Sequence, residues 1–270
     1  MWTKEVFGTE KPIIALLHLD ALPGEPAFAG SYEDVIAHAI EDLKAIQDGG
    51  ADGVLIANEN CFPITENTGT ITLMAMAGVI GALKPYIRIP FGTNVVYNPE
   101  DTIRMAAVFG ASFGRSAFGG AYTGTYGMHT ANFGDAVRLK YQLGHPEIQL
   151  LCKFNPEGDS RIGTQTTKEL VNSLCEGGYA GALCVSGSGA GQEADWNYLA
   201  EVSALAGKKN TPVFCNTGCR LDTIEKILAV ADGACVGTAL KGPDGRVDVN
   251  KVKGFMEIAR RVRGDLENAK

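Results

Sequence analysis

Short runs of apolar residues alternate with helical stretches along nearly the whole chain, about eight times. Each run is rich in Val, Ile, Leu or Cys and is followed by a Gly-rich or polar break. Such a run, bounded by turn residues, is typical of a strand buried on both faces, and strands that alternate with helices predict a parallel sheet. Eight repeats predict a (β/α)8 TIM barrel of the α/β class, a fold that commonly fills one domain of this length. We therefore expect residues 1–270 to form a single barrel domain.

Capping signals between the apolar runs set the boundaries of the predicted elements. Ser31 followed by Asp34 indicates a helix start, and Asn98-Pro99 has the cap-then-proline pattern of another. The Gly- and aromatic-rich segment 116–133 is predicted to be a loop, and its unusual length is a sign of function or mobility. Strands are predicted at 13–18, 54–57, 91–95, 111–115, 147–152, 181–185, 212–215 and 233–236. Helices are predicted at 31–48, 68–83, 134–143, 166–176, 193–205 and 221–230, and two more helices are predicted to begin at Asn98 and at Asn250.

The loops after the seventh and eighth predicted strands carry the strongest local signal. Asn216-Thr217-Gly218 follows the seventh strand, and Gly237-Thr238 follows the eighth. In many barrels these two loops and a short helix N-terminus direct backbone N–H groups at one phosphate. We expect Asn216, Gly218, Gly237 and Thr238 to bind phosphate or another anion. The alternative is that these glycines only form tight turns between strand and helix.

Two other groups of residues are candidates for ligand contacts. The loop 186–191 is the most Gly-dense in the chain and could cradle a phosphate or a carbonyl oxygen, or act as the hinge of a lid, although no Walker motif is present. Its candidate contacts are Ser186, Gly187, Ser188 and Gly189. Asn94 and Arg115, near the ends of the third and fourth strands, could contact the anion as well. Arg115 is then a second anion clamp, and otherwise a solvated side chain.

Three titratable residues near strand ends are the candidates for catalysis: His18, Glu59 and Lys153. Lys153 directly follows Leu150-Leu151-Cys152, so we expect it to project into a poorly solvated mouth suited to Schiff-base or general-base chemistry. The alternative role, which the sequence favours over catalysis, is a charge partner of Glu59 or an anion clamp. His18 could be a general acid or base, a metal ligand, or a hydrogen-bonded histidine that seals the barrel top.

Net charge, apolar run length and cysteine content indicate which kinds of partner and which cellular compartment to expect. The net charge of −7 argues against a nucleic-acid partner, which would need clustered Lys and Arg. The longest apolar runs are far shorter than the roughly 18 residues that cross a bilayer, and the N-terminus lacks a signal-peptide pattern. Seven cysteines, several of them in strand-like runs, favour free thiols in a reducing compartment over a disulfide framework. We expect a cytoplasmic protein with no transmembrane segment and no peripheral membrane contact.

Metal-binding motifs are missing from the sequence, which contains no Cys-x-x-Cys, His-Glu-x-x-His or His-x-His. No cofactor is predicted. A divalent metal held across strands by His18, Glu59 and Asp159 stays open, although no motif supports it.

Segments at both ends and in the middle of the chain resemble the BtpA/SgcQ family. They are Lys11-Pro12-Ile13-Ile14, Leu17-His18-Leu19 and Leu22-Pro23-Gly24 at the start, Gly119-Gly120-Ala121-Tyr122 and 185–191 (Val-Ser-Gly-Ser-Gly-Ala-Gly) in the middle, and 230–241 (Val-Ala-Asp-Gly-Ala-Cys-Val-Gly-Thr-Ala-Leu-Lys) at the end. The resemblance implies a ribulose-phosphate-binding-like TIM barrel. Members of this family are associated with photosystem I biogenesis or with sugar-utilisation gene clusters.

These observations lead us to expect an enzyme that acts on a small phosphorylated metabolite resembling a sugar phosphate. Lyase, isomerase and hydrolase chemistry all stay open. The alternative is a non-catalytic assembly or stabilising factor of the BtpA type that keeps the barrel and binds a protein or membrane partner, because one fold hosts many functions. A homo-oligomer is also compatible with the sequence.

Overall fold

The computed structural model describes residues 1–187 and 195–268, and eight of its strands close a parallel barrel. In chain order the strands are β1 (Ile13–His18), β2 (Gly53–Ala57), β3 (Phe91–Asn94), β4 (Phe113–Ser116), β5 (Gly120–Gly124), β6 (Gly127–Ala131), β7 (Gln149–Lys153), β8 (Asp159–Arg161), β9 (Ala180–Val185), β10 (Val213–Cys215) and β11 (Gly233–Val236). Around the barrel the order is β1-β2-β3-β4-β7-β9-β10-β11, and β11 pairs with β1 to close it. The predicted TIM barrel is thereby confirmed.

Helices flank the barrel strands in the predicted alternation. They are α1 (Trp2–Phe7), α2 (Tyr32–Asp48), α3 (Thr70–Leu83), α4 (Pro99–Phe109), α5 (Phe133–Gln142), α6 (Thr167–Cys175), α7 (Trp196–Gly207), α8 (Ile224–Val230) and α9 (Val249–Asn268). The Ser31 side chain accepts a hydrogen bond from the Asp34 N–H at 3.1 Å, and Asn98 caps α4 in the same way through Asp101. These side-chain caps satisfy N–H groups that the first helical turn leaves without a partner.

Alternate residues of the barrel strands enter two separate cores. Along β1, Ile14 and Leu16 face the barrel interior, whereas Ile13, Ala15 and Leu17 pack against the surrounding helices. Period-two alternation on a strand buried on both faces accounts for this division. The interior cluster consists of Ile14, Leu16, Leu55, Phe113, Leu151, Ala182, Cys184, Phe214 and Cys235.

Helix α1, which was not predicted from the sequence, packs against the interior cluster. The Phe7 ring lies 5.7 Å from the Phe113 ring, and the Trp2 indole donates to the Gly181 carbonyl at 2.7 Å. Gly53 accommodates this packing, since a Cβ there would lie 2.6 Å from Phe7. The helix thus buries aromatic surface against the barrel strands.

The segment 116–133, predicted to be a loop, instead contains the β5–β6 hairpin. Strand β8 pairs antiparallel with β5, and the three strands form the cap sheet, in the order β6-β5-β8. The hairpin follows β4 and β8 follows β7, so the cap sheet lies on the side of the barrel where the strands end. Ring stacking adds to its strand pairing: the His129 ring stacks on Tyr97 at 4.2 Å between centroids and on its cross-strand partner Tyr122 at 5.1 Å. Local hydrophobic alternation could not reveal strands held in this way.

Candidate active site

A cavity of about 170 Å³ opens at the carboxyl ends of the barrel strands. Strand ends and the loops after β10 and β11 supply its walls. This is the face of a TIM barrel on which active sites are built. The lining residues are Leu16, His18, Glu59, Arg115, Glu157, Asn216, Thr217, Gly218, Cys219, Arg220, Cys235, Gly237, Thr238 and Ala239.

Arg115, at the end of β4, is a buried cation in this cavity and is only 2 % exposed. Its guanidinium donates to Asn94 Oδ1 from Nε at 3.2 Å and from Nη2 at 2.9 Å, and to Asn216 Oδ1 from Nη1 at 2.9 Å. Both amide oxygens belong to neutral side chains, so the hydrogen bonds orient the guanidinium without cancelling its charge. Asn94 and Asn216, which were predicted as ligand contacts, therefore fix the orientation of the Arg115 guanidinium in the structure.

Among the residues that the structure describes, the Glu59 carboxylate is the anion nearest to this guanidinium, at 3.9 Å between Oε2 and Nη2. Burial is the largest single influence and works to lower the pKa of Arg115, but the neighbouring acidic groups, Glu59 foremost, together outweigh burial and raise that pKa. Burial likewise works to raise the pKa of Glu59, but the surrounding cations, Lys153 foremost, outweigh it and lower that pKa. Glu59 is therefore ionised at neutral pH.

His18 and Glu59, which both line the cavity, each have one buried polar atom without a hydrogen-bond partner among the described residues. These atoms are His18 Nε2 and Glu59 Oε2. Burial is the largest influence on His18 and lowers its pKa to about 4, although the Glu59 carboxylate opposes the shift. The imidazole is therefore neutral at pH 7. Buried polar atoms normally find partners, so these two atoms on one cavity make it the candidate ligand site.

Lys153, the last residue of β7, is 8 % exposed and lies 3.3 Å from the Glu157 carboxylate. The other carboxylate oxygen of Glu157 accepts from Asn216 Nδ2 at 2.7 Å. Glu157 thus joins the lysine to the asparagine that holds Arg115. Sequence reasoning missed Glu157, although its position four residues after Lys153, beyond the strand end, was a usable signal.

The two loops predicted to bind an anion meet at the same cavity. Gly218 has φ +71°, a left-handed conformation that favours glycine. At Gly237 a Cβ would lie 3.0 Å from His18 Cε1, so the absence of a side chain keeps the histidine free to face the cavity. A short 3-10 helix begins at Thr238, and the N–H groups of Thr238 and Ala239 have no acceptor inside that helix.

Ser186 and Gly187 belong to the framework around the cavity. The Ser186 hydroxyl accepts from Asn216 Nδ2 at 2.9 Å, and its backbone N–H donates to Asn155 at 2.9 Å. The Gly187 N–H donates to the Thr217 hydroxyl at 2.6 Å. The other two predicted contacts of this loop, Ser188 and Gly189, lie outside the described residues.

His18, Glu59 and Asp159, which were considered for a metal site, do not come together in the structure. Asp159 lies in the cap sheet, where it accepts a hydrogen bond from the Tyr97 hydroxyl at 2.7 Å. Across residues 1–187 and 195–268, no three His, Cys, Asp or Glu side chains form a group that could hold a metal ion. In the same part of the chain, no helix has the length and apolar character needed to span a membrane.

Comparison with known proteins places this architecture in a family. The BtpA family profile matches residues 9–261. The chain belongs to the BtpA family. It is 38 % identical over 268 residues to the putative sgc region protein SgcQ of Escherichia coli, covering 97 % of this chain and 99 % of that protein. It is 26 % identical over 260 residues to the photosystem I biogenesis protein BtpA of a Synechocystis strain, covering 94 % and 89 % of the two chains.

Solved structures with a similar fold are distant in sequence. A tryptophan synthase structure from Mycobacterium tuberculosis aligns with a TM-score of 0.62 at 14 % identity, covering 94 % of this chain and 93 % of that one. The N-(5'-phosphoribosyl)anthranilate isomerase of Pyrococcus furiosus aligns with a TM-score of 0.55 at 14 % identity, covering 93 % and 99 %. At this identity the likeness shows the shared TIM-barrel fold alone.

Proposed function

We propose that this protein is an enzyme that acts on a small phosphorylated metabolite resembling a sugar phosphate. The observation that carries the proposal is the convergence, in one cavity, of a buried guanidinium and two acid–base atoms that have no hydrogen-bond partner among the described residues. An unsatisfied buried polar atom costs about 1–3 kcal/mol, so the His18 and Glu59 atoms on this cavity favour a bound partner. A ligand with both an anionic group and oxygen functions would satisfy them.

The phosphate is proposed to lie between the loops after β10 and β11. Gly218, Thr238 and Ala239 supply backbone N–H groups on that side of the cavity, and the Arg115 guanidinium supplies a fixed positive charge. Guanidinium groups bind phosphate oxygens strongly because the donors are charged and planar. The small volume suits a compact metabolite rather than a polymer.

His18 and Glu59, which line the cavity, and Lys153, which is paired with the cavity residue Glu157, are the proposed groups for proton transfer or covalent chemistry. The ionised Glu59 suits a base, and the neutral His18 suits a hydrogen-bond partner of a reacting oxygen. This set is compatible with lyase, isomerase and hydrolase reactions.

Thermal unfolding in the presence of phosphorylated compounds tests the proposal. A ligand that binds only the folded protein raises the melting temperature by mass action. We expect one class of sugar phosphates to raise it more than inorganic phosphate or the unphosphorylated sugar does. The shift should vanish in Gly237→Val, whose side chain enters the cavity, and persist in the matched control Gly207→Ala, where a Cβ meets open space. No shift with any phosphorylated compound would refute the proposal.

A second candidate function is an assembly or stabilising role, as the name of the Synechocystis relative suggests for that protein. The observation that favours it is the outer face of α3, which contains no charged residue. Ile71 and Met74 are 64 % and 70 % exposed there. Exposed apolar patches on a barrel surface are typical of interaction sites. This function gains support if no phosphorylated compound binds and if Met74→Lys weakens association with a protein or membrane fraction without changing the stability of the chain.

A further inference from the structure

Adjacent strands place His18 and Glu59 side by side at the mouth of the barrel. His18 ends β1, and it is paired in register with Ala57, the last residue of β2. Glu59 follows two residues later, and both side chains line the cavity that contains Arg115. The nearest heavy atoms around Gly237 are those of His18 and Leu16, so the histidine ring also borders the proposed phosphate loop.

The two groups have complementary protonation states. Glu59 is ionised and presents a buried carboxylate oxygen that no described residue hydrogen-bonds. His18 is neutral, because burial lowers its pKa to about 4, and its Nε2 has no hydrogen-bond partner in residues 1–187 and 195–268. A carboxylate base beside a neutral imidazole is suited to removing a proton from carbon next to a carbonyl, since the imidazole can hydrogen-bond the oxygen on which charge develops. Triosephosphate isomerase is the known example of this division of roles.

We infer that the substrate is an aldose or ketose phosphate and that the enzyme moves a proton between its two neighbouring carbons, with Glu59 as the base and His18 as the partner of the carbonyl oxygen. This inference rests on the proposed function. It selects isomerase chemistry from the reaction classes that the site leaves open.

The step balances without an oxidant or a cofactor. Glu59 takes the hydrogen of the hydroxyl-bearing carbon as a proton, and the electron pair of that C–H bond forms a C=C bond as the carbonyl π bond moves its electrons onto oxygen. His18 Nε2–H hydrogen-bonds this oxygen in the resulting enediolate. The hydroxyl proton then passes to that oxygen, the other oxygen becomes the carbonyl, and Glu59 returns its proton to the neighbouring carbon.

Lys153 is placed for a different role. Its ammonium lies 3.3 Å from Glu157, whose second oxygen is held by Asn216. This pairing engages the amine as a charge partner rather than leaving it as a nucleophile. A covalent Schiff-base route is therefore not the one that the geometry favours, and Lys153 instead helps to keep Glu59 ionised.

Deuterium exchange tests the inference directly. The wild-type protein is incubated in D2O with a panel of aldose and ketose monophosphates of three to six carbons, and exchange at the carbon next to the carbonyl is followed by proton NMR. We expect one member of the panel to exchange that hydrogen and to convert between its aldose and ketose forms. Glu59→Gln should slow exchange by roughly 100- to 10,000-fold, the range typical of a general base, while the thermal shift with the same compound persists. The matched control Glu225→Gln, an exposed partner of Arg261, should exchange at the wild-type rate.

The pH profile separates a neutral His18 from a charged one. Exchange should stay constant from about pH 8 down to about pH 5, because both Glu59 and His18 keep their protonation states over that range. A loss of exchange above pH 7 would contradict a neutral imidazole and indicate an imidazolium.

The outcomes distinguish this inference from the proposed function beneath it. A sugar phosphate that binds without exchange, or that borohydride traps on Lys153, overturns the inference and leaves the proposed function intact. Exchange that continues at the wild-type rate in Glu59→Gln would show that Glu59 is not the base, and this result too overturns the inference. If none of the panel binds but another phosphorylated compound raises the melting temperature, the inference fails and the proposed function stands; if no phosphorylated compound does so, the proposed function itself fails.

Discussion

Protonation of His18 should make the protein less stable in acid, and replacing His18 with glutamine should remove that part of the loss. Below about pH 6.5 the unfolded chain binds a proton at this histidine, whereas the folded chain does so only near pH 4. Acid therefore favours the unfolded state, and the free energy of unfolding falls as the pH falls between these two values.

The magnitude follows from the two pKa values. Each pKa unit corresponds to about 1.36 kcal/mol, so the full effect is about 3 kcal/mol, of which about 2 kcal/mol is lost between pH 7 and pH 5. With an unfolding entropy of about 2.1 cal/mol/K per residue, this loss lowers the melting temperature of a chain of this length by roughly 3 to 4 °C.

Urea unfolding of wild type and His18→Gln at pH 7 and pH 5 measures this difference. The wild type should lose about 2 kcal/mol more than the variant on acidification. The control is His145→Gln, since His145 is exposed and pairs only locally with Glu147; it should behave like the wild type. Equal losses in wild type and His18→Gln would refute a buried, neutral His18.

Three further predictions concern the cavity and the cap sheet. Gly237→Val should abolish the thermal shift caused by sugar phosphates, measured by calorimetry, because its Cβ would lie 3.0 Å from a ring carbon of the neighbouring histidine. Arg115→Lys should weaken phosphate binding at least tenfold in titration calorimetry and lower the urea-derived stability by about 3 kcal/mol, because a lysine cannot donate to both asparagine side chains; unchanged affinity would contradict a guanidinium clamp. Tyr97→Phe removes the hydroxyl that donates to Asp159 at 2.7 Å, so amide hydrogen exchange in the cap sheet should speed up while exchange in the barrel strands does not change.

Much of the fold could be predicted from the sequence because a TIM barrel repeats one local pattern. The alternation of β1 residues between two cores and the caps at Ser31 and Asn98 are properties of short segments, so they could be predicted. The cap sheet could not, because His129 is held by Tyr97, a residue of a different loop. Helix α1 likewise depends on the aromatic surface it meets, Phe113 above all.

For the candidate site, the sequence could name residues near strand ends but not their partners. Arg115 bonds Asn94, 21 residues away, and Asn216, 101 residues away, and only barrel closure brings them together. The expectation of Arg115 as either an anion clamp or a solvated side chain was resolved by burial, which excludes the solvated alternative. Glu157 escaped notice because its importance comes from its contacts with Lys153 and Asn216 rather than from a motif.

A crystal structure of the protein soaked with a sugar phosphate that raises its melting temperature tests the phosphate site most directly. The phosphorus should lie in the cavity between Gly218 and Thr238, with the Arg115 guanidinium oriented toward the ligand by its two asparagines. The sugar carbonyl should then lie beside His18 and Glu59. A phosphate bound elsewhere on the protein, with this cavity holding only water, would contradict the assignment of the cavity as the active site.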